Sequence, residues 1–193
     1  MRKRSTFFAA AGIASLLVLM ITSLPIPRQT STTPFTLEDG STGTVTLIVP
    51  ERLRQGDWAE IELDVTFEAV IPPEQNVKIK TSLQTTGMEA SPAGEVTAVI
   101  PVKEIAPFRW RIRSGGAGEQ RLTIWCFRQD ADGQTLILAK ELEFEVKSFL
   151  GITFRFTRWM LGMVVVLCAL LFFSSIKKRK NQLATAYLMT IVV

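Results

Sequence analysis

The chain has 193 residues and a formal net charge of +4, with no histidine and two cysteines. The lack of histidine excludes imidazole general bases, Ser-His and Cys-His nucleophile pairs and His-containing metal sites, and we predict no catalytic, cofactor or metal site. The positive charge does not indicate a nucleic-acid partner. Residues 28–147 hold all 18 acidic residues and only 13 of the 22 lysines and arginines, which gives this part a net charge of −5. The other nine cations flank the apolar segments near the two ends of the chain.

The N-terminal stretch is typical of a membrane-targeting helix. Residues 1–5 are basic, with Arg2, Lys3 and Arg4, and residues 6–24 are uncharged and apolar. This run is longer than the apolar region of an ordinary signal peptide, and no small-residue cleavage site follows it. We expect an uncleaved signal-anchor helix, with a cleaved signal peptide as the alternative. The prolines of residues 25–42 predict an extended linker.

Residues 43–147 alternate apolar and polar side chains with a period of two, which is typical of half-buried β-strands. The predicted strands cover 43–50, 58–67, 77–86, 95–102, 108–113, 122–127 and 136–146, with a further short strand near Met88. Lys140 falls in the inward phase of the last strand, so we expect a bulge or a break there. About seven antiparallel strands with no helical period between them predict an all-β sandwich.

This pattern resembles the immunoglobulin-like domains of bacterial surface proteins. The resemblance depends on Phe108, Trp110 and Ile112, then a glycine-rich turn, then Leu122 and Ile124. It covers about residues 35–146 and implies the fold alone, because the paired cysteines of antibody domains are missing. Cys126 shares the inward phase of its strand and is expected to be a reduced core residue.

The resemblance also predicts which strands are neighbours. In immunoglobulin-like sandwiches the second and fifth core strands pair antiparallel in one sheet. Those strands are here residues 58–67 and 108–113. Their outward side chains would form a cross-strand charge ladder in which Glu62 faces Arg111, with three acids facing three arginines: Glu60, Glu62 and Asp64 opposite Arg109, Arg111 and Arg113.

The C-terminal part predicts a second membrane span. Residues 148–158 are expected to be interfacial, and residues 159–176 form an uncharged run long enough to cross a bilayer as a helix. A cytoplasmic tail, 177–193, begins with four cations, which set the orientation together with those at the N-terminus: Lys177, Lys178, Arg179 and Lys180. We therefore expect two transmembrane helices flanking an extracytoplasmic domain in a bacterial cytoplasmic membrane, or one span if the N-terminal helix is cleaved.

One surface feature suggests a binding role. Trp125 and Phe127 fall on the outward phase of a central strand, where aromatic side chains are unexpected, and they indicate a docking patch for a partner protein or the bilayer surface. The alternative is a register slip or cover from a neighbouring loop. Residues 130–133 lack the further oxygen ligands of a calcium loop, and residues 114–118 lack the lysine of a phosphate-binding loop, so both are expected to be turns.

The expected function follows from these features. We expect a non-catalytic accessory, scaffold or recognition subunit of a membrane assembly, in contact with the bilayer and with another membrane or extracytoplasmic protein. The alternative is a sensor that passes binding at its exported domain to the transmembrane helices.

Overall fold

The computed structural model describes residues 2–70, 76–130, 133–149 and 151–191, with side chains at residue 7 and from residue 10 to residue 174. Contacts between Cα atoms divide the chain into two compact units. The helical unit comprises Met1–Pro25 and Arg155–Val193, and the β unit comprises Ile26–Phe154.

The β unit consists of two five-stranded sheets. Its strands are β1 Arg28–Thr36, β2 Thr42–Pro50, β3 Leu53–Arg54, β4 Trp58–Ala69, β5 Asn76–Thr86, β6 Met88–Ser91, β7 Glu95–Pro101, β8 Ile105–Ser114, β9 Gly118–Asp130 and β10 Gly133–Lys147. Sheet A has the order β1-β2-β4-β8-β6, and sheet B has the order β3-β10-β9-β5-β7. All neighbours are antiparallel except β3 and β10.

The sheet orders confirm the predicted all-β sandwich. They contain the two sheets of an immunoglobulin-like domain, because β2-β4-β8-β6 corresponds to strands A, B, E and D, and β10-β9-β5 corresponds to G, F and C. Strands β1, β3 and β7 extend these sheets at their edges. The pairing of β4 with β8 is the one expected from the sequence.

Inward-facing side chains from both sheets form one apolar core. Strands β4, β8 and β9 contribute the most deeply buried ones, among them Ile61, Leu63, Phe108, Trp110 and Ile124. Full burial of a side chain of this size stabilises a fold by about 1.5–3 kcal/mol, so the alternation of these three strands contributes strongly to the stability of the core.

Cys126 belongs to this core. Its side chain is 0 % exposed, and burial raises the pKa of the Cys126 thiol to about 12. A thiol in this environment stays protonated at neutral pH and has little thiolate available for oxidation or metal binding.

Strand β1 lies where the sequence predicted a linker, so that prediction is wrong for residues 28–36. The strand shows no alternation because it lies at the edge of sheet A and most of its side chains are exposed. Its inward contact is made by Phe35, whose ring packs edge-on against Phe67 with centroids 5.1 Å apart. Gly43 makes room for this ring, since a Cβ at Gly43 would lie 2.6 Å from a Phe35 ring carbon.

Lys140 does not interrupt β10, which corrects the prediction of a bulge or break at that residue. The irregularity lies between Leu136 and Leu138 instead. Lys140 keeps its inward phase beside Ile124 and donates a hydrogen bond to the Ser31 hydroxyl on β1, at 3.2 Å. A long side chain that reaches the opposite sheet can thus occupy an inward position near the edge of the sandwich.

The chain enters and leaves the β unit at the same end. The Glu51 N–H donates to the Pro27 carbonyl at 3.0 Å, next to the start of β1. Four residues later, the Gln55 N–H donates to the Lys147 carbonyl at 2.9 Å, and the Phe154 N–H donates to the Gln55 carbonyl at 3.1 Å.

The helical unit contains α1, Arg2–Ser23, and α2, Phe154–Ile191. Of the residues that the structure describes, Phe154–Ser174 is the single helical stretch long and apolar enough to cross a membrane, by length and composition. The apolar part of α1, Ala10–Ser23, is shorter, so the structure gives one candidate span where the sequence predicted two. Helix α2 also begins before the predicted residue 159 and continues through the cations of 177–180.

The two helices approach each other at small side chains. A Cβ built on Gly12 of α1 would lie 3.4 Å from the Cβ of Cys168 on α2. An open apolar groove of about 290 Å³ adjoins this contact, between Ile13 on one helix and Phe172 on the other.

Candidate functional site

The outer face of sheet B carries an aromatic patch at its centre. In β9, Trp125 lies opposite Ala139 of β10, and Phe127 lies opposite Leu136. The Trp125 and Phe127 rings are half-buried and parallel, with an interplanar angle of 5° and centroids 6.3 Å apart. Leu136 is 46 % exposed. We call these residues the aromatic patch: Trp125, Phe127, Leu136 and Ala139.

The pairing of β9 tests one of the alternatives for these aromatic residues, a register slip. Cys126 and Arg128, which alternate with them, both point into the sandwich and are buried. A register slip is therefore excluded, and Trp125 and Phe127 lie on the outer face as the alternation predicted.

Charged side chains surround the aromatic patch. Lys80 of β5 lies opposite Phe127 and forms an ion pair with Glu95 at 2.7 Å. On the other side, Arg121 of β9 contacts Glu143 of β10 at 2.9 Å. An apolar centre within a polar rim is the usual anatomy of a protein–protein interface, in which tryptophan often contributes much of the binding energy.

The acids and arginines of the predicted charge ladder lie on the outer face of sheet A, but the strands are shifted by two residues from the expected pairing of Glu62 with Arg111, so two acid–arginine pairs face each other instead of three. Glu60 lies opposite Arg111, and Glu62 lies opposite Arg109. The third acid, Asp64, lies opposite Pro107 instead. Burial, followed by the charge of Glu62, raises the pKa of Asp64, against the opposing effect of Arg109.

The ion pairs on this face come mainly from a residue that the sequence reasoning missed. Arg28 of β1 contacts the Glu62 carboxylate at 2.6 Å and the Glu60 carboxylate at 3.1 Å. The contact of Arg109 with the Glu62 carboxylate is longer, at 3.7 Å. Arg28 lies in the predicted linker, and its role depends on the pairing of β1 with β2, which the sequence does not show.

The last two arginines of the predicted ladder contact an aromatic ring. The guanidinium carbons of Arg111 and Arg113 lie 5.5 Å and 4.9 Å from the centroid of Trp58. Arg113 also forms an ion pair with Glu89 at 2.6 Å. We call Trp58, Arg111 and Arg113 the Trp-Arg cluster.

A buried arginine connects the two sheets at the opposite end of the sandwich. Arg128 of β9 is buried, and its Nη1 donates to Asp39 Oδ2 at 2.5 Å and to the Ser41 hydroxyl at 2.9 Å. Its Nε lies 2.7 Å from Asp130 Oδ1. A buried charge needs such partners, because removing an unpaired charge from water costs several kcal/mol.

Asp39 is held ionised by this cluster. Partial burial disfavours its carboxylate, but hydrogen bonds from the Ser41 N–H and hydroxyl and from Arg128 outweigh burial, and the pKa of Asp39 is lowered. The sequence carried one signal for this cluster, since Arg128 continues the inward phase of Ile124 and Cys126. The partner could not be read from the sequence because it lies 89 residues away.

The other motifs that we considered form ordinary structure where it is described. The Asp130 carboxylate contacts Arg128, and Asp132 lies outside the described residues. The Ser114 hydroxyl donates to the Gly116 carbonyl at 2.6 Å within its turn. The side chains of the cations predicted to set the orientation also lie outside the described residues: Arg2, Lys3, Arg4, Lys177, Lys178, Arg179 and Lys180. Within the described part of the chain, no group of three or more His, Cys, Asp or Glu side chains could hold a metal ion.

No protein-family model and no curated protein sequence matches this chain. Among solved structures, it is similar to a chain of the complex of zinc 2-glycoprotein with prolactin inducible protein from human seminal plasma, with 11 % identity and a TM-score of 0.42 over 60 % of this chain and 97 % of that one. A cohesin module of a family 33 glycoside hydrolase from Clostridium perfringens has 10 % identity and a TM-score of 0.37, over 60 % and 100 % of the two chains. A PapD-like domain of human CEP192 has 10 % identity and a TM-score of 0.37, over 66 % and 92 %. Similarity at this level assigns neither family nor function.

The lowered pKa of Asp39 predicts a pH-dependent stability. We expect Asp39→Asn to destabilise the protein at neutral pH by about 1 kcal/mol, less than the roughly 1.5–3 kcal/mol of a hydrogen bond to a charged group, because Asp39 is partly exposed. The folded-state pKa lies below the ordinary 3.8. The contribution is therefore complete above that value and is lost as the pH falls through the folded-state pKa. Thermal unfolding of both proteins between neutral and acidic pH measures it.

The neighbouring exposed carboxylate of Glu38 provides the matched control. Glu38→Gln should leave the unfolding temperature close to that of the parent protein at every pH. A constant difference between the parent protein and Asp39→Asn over the whole acidic range would contradict the role given to Asp39.

The geometry of sheet A predicts which charge pair is coupled. A double-mutant cycle of Arg28→Ala and Glu62→Ala should give a coupling free energy of about 0.2–1 kcal/mol, because the pair is close but exposed. The same cycle for Arg111 and Glu60 should give none, since Arg111 contacts Trp58 and Glu60 is held by Arg28. Equal coupling in the two cycles would show that facing positions, rather than the contacts, determine the interaction.

Proposed function

We propose that this chain is a non-catalytic subunit of a bacterial membrane assembly that presents its β unit outside the cytoplasm and binds a partner protein through the aromatic patch. The observation that carries the proposal is the parallel pair of Trp125 and Phe127 rings on the outer face of a central strand, beside the exposed Leu136. Solvent exposure of these side chains has a cost that burial against a partner would remove.

Two features support an anchor of two helices. Helix α2 contains a stretch long enough to cross a bilayer, and α1 approaches it closely at Gly12 and Cys168. Close approach at small side chains is typical of helices that pack within lipid. Because cations precede the apolar part of α1 and follow that of α2, both chain ends would lie in the cytoplasm.

The sensor function remains the second candidate, and one contact favours it. Phe154 is the last residue of the β unit and the first of α2. Its N–H is bonded to Gln55, and the Arg54 guanidinium lies 5.4 Å from the centroid of its ring. A conformational change at β3 would therefore act directly on Phe154, the first residue of the candidate span.

Cysteine labelling in intact cells tests the orientation. Glu38 is exposed in the loop between β1 and β2, whereas its neighbour Ser41 is buried and unsuitable for labelling. An impermeant maleimide should label Glu38→Cys and should label Gln182→Cys only after the cells are opened. The parent protein, with its two native cysteines, gives the background. Labelling of residue 182 in intact cells would contradict the proposed orientation.

Site-specific photocrosslinking in cells tests the docking surface. A photoreactive amino acid at Leu136, inside the aromatic patch, should give one discrete protein adduct. The same amino acid at Thr32, exposed on the outer face of sheet A, should give none. Phe127→Glu should abolish the adduct at Leu136, whereas Trp58→Ala, a matched loss of an exposed aromatic side chain, should preserve it. Adducts only to lipid, or equal adducts at both positions, would overturn this function.

A further inference from the structure

We propose that the Trp-Arg cluster of sheet A binds the phosphate groups of anionic phospholipids where the β unit meets the membrane. This inference rests on the proposed membrane anchor. It concerns a different face of the sandwich from the aromatic patch and a different class of ligand.

The first step of the argument is the position of the cluster. Gly56 lies between the end of β8 and the segment that leads to α2: its N–H donates to the Ser114 carbonyl at 2.9 Å, and a Cβ at Gly56 would lie 3.0 Å from the Thr153 Cβ. Trp58 is two residues further along, about 7 Å at the usual strand rise. The cluster therefore lies at the end of the β unit that is joined to the candidate span.

The second step is the charge of the cluster. Glu60, the residue opposite Arg111, is held by Arg28 at 3.1 Å. Among the residues that the structure describes, Arg111 has no carboxylate within 4.0 Å, and its guanidinium lies over the Trp58 ring. An exposed guanidinium with unused N–H donors is suited to a phosphate group, which accepts two parallel hydrogen bonds from it.

The third step is the tryptophan. Trp58 is 39 % exposed and lies beneath the two guanidinium groups. Tryptophan side chains concentrate at membrane surfaces because the ring is apolar and its N–H is polar. The ring therefore suits the acyl–headgroup boundary, while the Arg111 guanidinium suits a phosphate above it; Arg113 is already paired with Glu89 and contacts the ring. This combination favours a lipid over an acidic protein.

A photoreactive analogue of phosphatidylglycerol tests the proposal in the full-length protein. The protein is reconstituted in vesicles of phosphatidylcholine with and without phosphatidylglycerol, and the labelled peptides are mapped. We expect labelling around Trp58 and Arg111 that falls about fivefold in Arg111→Gln, the change that corresponds to about 1 kcal/mol for one cation near an anionic surface. Arg121→Gln, which removes an exposed arginine from the outer face of sheet B, should not change it.

Labelling of the first turns of α2 separates the two proposals. If residues 155–160 are labelled and the Trp-Arg cluster is not, the anchor stands and the lipid site is wrong. If neither is labelled, the proposed anchor fails as well. Loss of cluster labelling when inorganic phosphate is added at constant ionic strength would assign the cluster to a free anion and would also overturn the lipid proposal.

Discussion

Burial of the inward side chains of β4, β8 and β9 holds the two sheets together, and the other features depend on it. Ile61, Trp110 and Ile124 are almost completely excluded from solvent because the strands alternate strictly. The same alternation forces the intervening residues outward, which creates both the charged face of sheet A and the aromatic patch of sheet B. A shift of one residue in β4 or β9, the middle strands of the two sheets, would turn charged side chains into the core. The need to bury the apolar side chains therefore determines both the register and the residues on the outer faces.

Sequence reasoning succeeded where this alternation is strong. It predicted the strands of the core and the outward position of Trp125, because both follow from a period of two. The pairing of β4 with β8 came from the resemblance to immunoglobulin-like domains. It failed for β1, whose side chains are mostly polar on both faces, and for β3, whose two residues are too short to show a period. An edge strand of this kind is determined by the neighbour that it pairs with, and such pairing is not encoded locally.

The missed charge contacts have the same origin. Arg28 is the first residue of β1 and Asp39 lies in the loop between β1 and β2. Each contacts a strand that is remote in the sequence. A charged residue at a solvent-exposed position gives no sign of which partner it will meet. Arg128 did give a sign, because a charge in the inward phase of a core strand requires compensation. Strand β1 is held mainly by its nine-residue backbone pairing with β2, and these ion pairs add contacts from the hairpin to the core.

The β unit is attached to the rest of the chain at one end only, near the Pro27–Glu51 and Gln55–Phe154 hydrogen bonds. A pulling force transmitted through residues 26 and 154 would therefore not stretch the sandwich along its strands. It would peel β1 from β2 beginning at the Arg28–Pro50 pair, so the hydrogen bonds would break one after another instead of sharing the load. At the N-terminal attachment β1 would therefore carry the load before the core strands β4, β8 and β9.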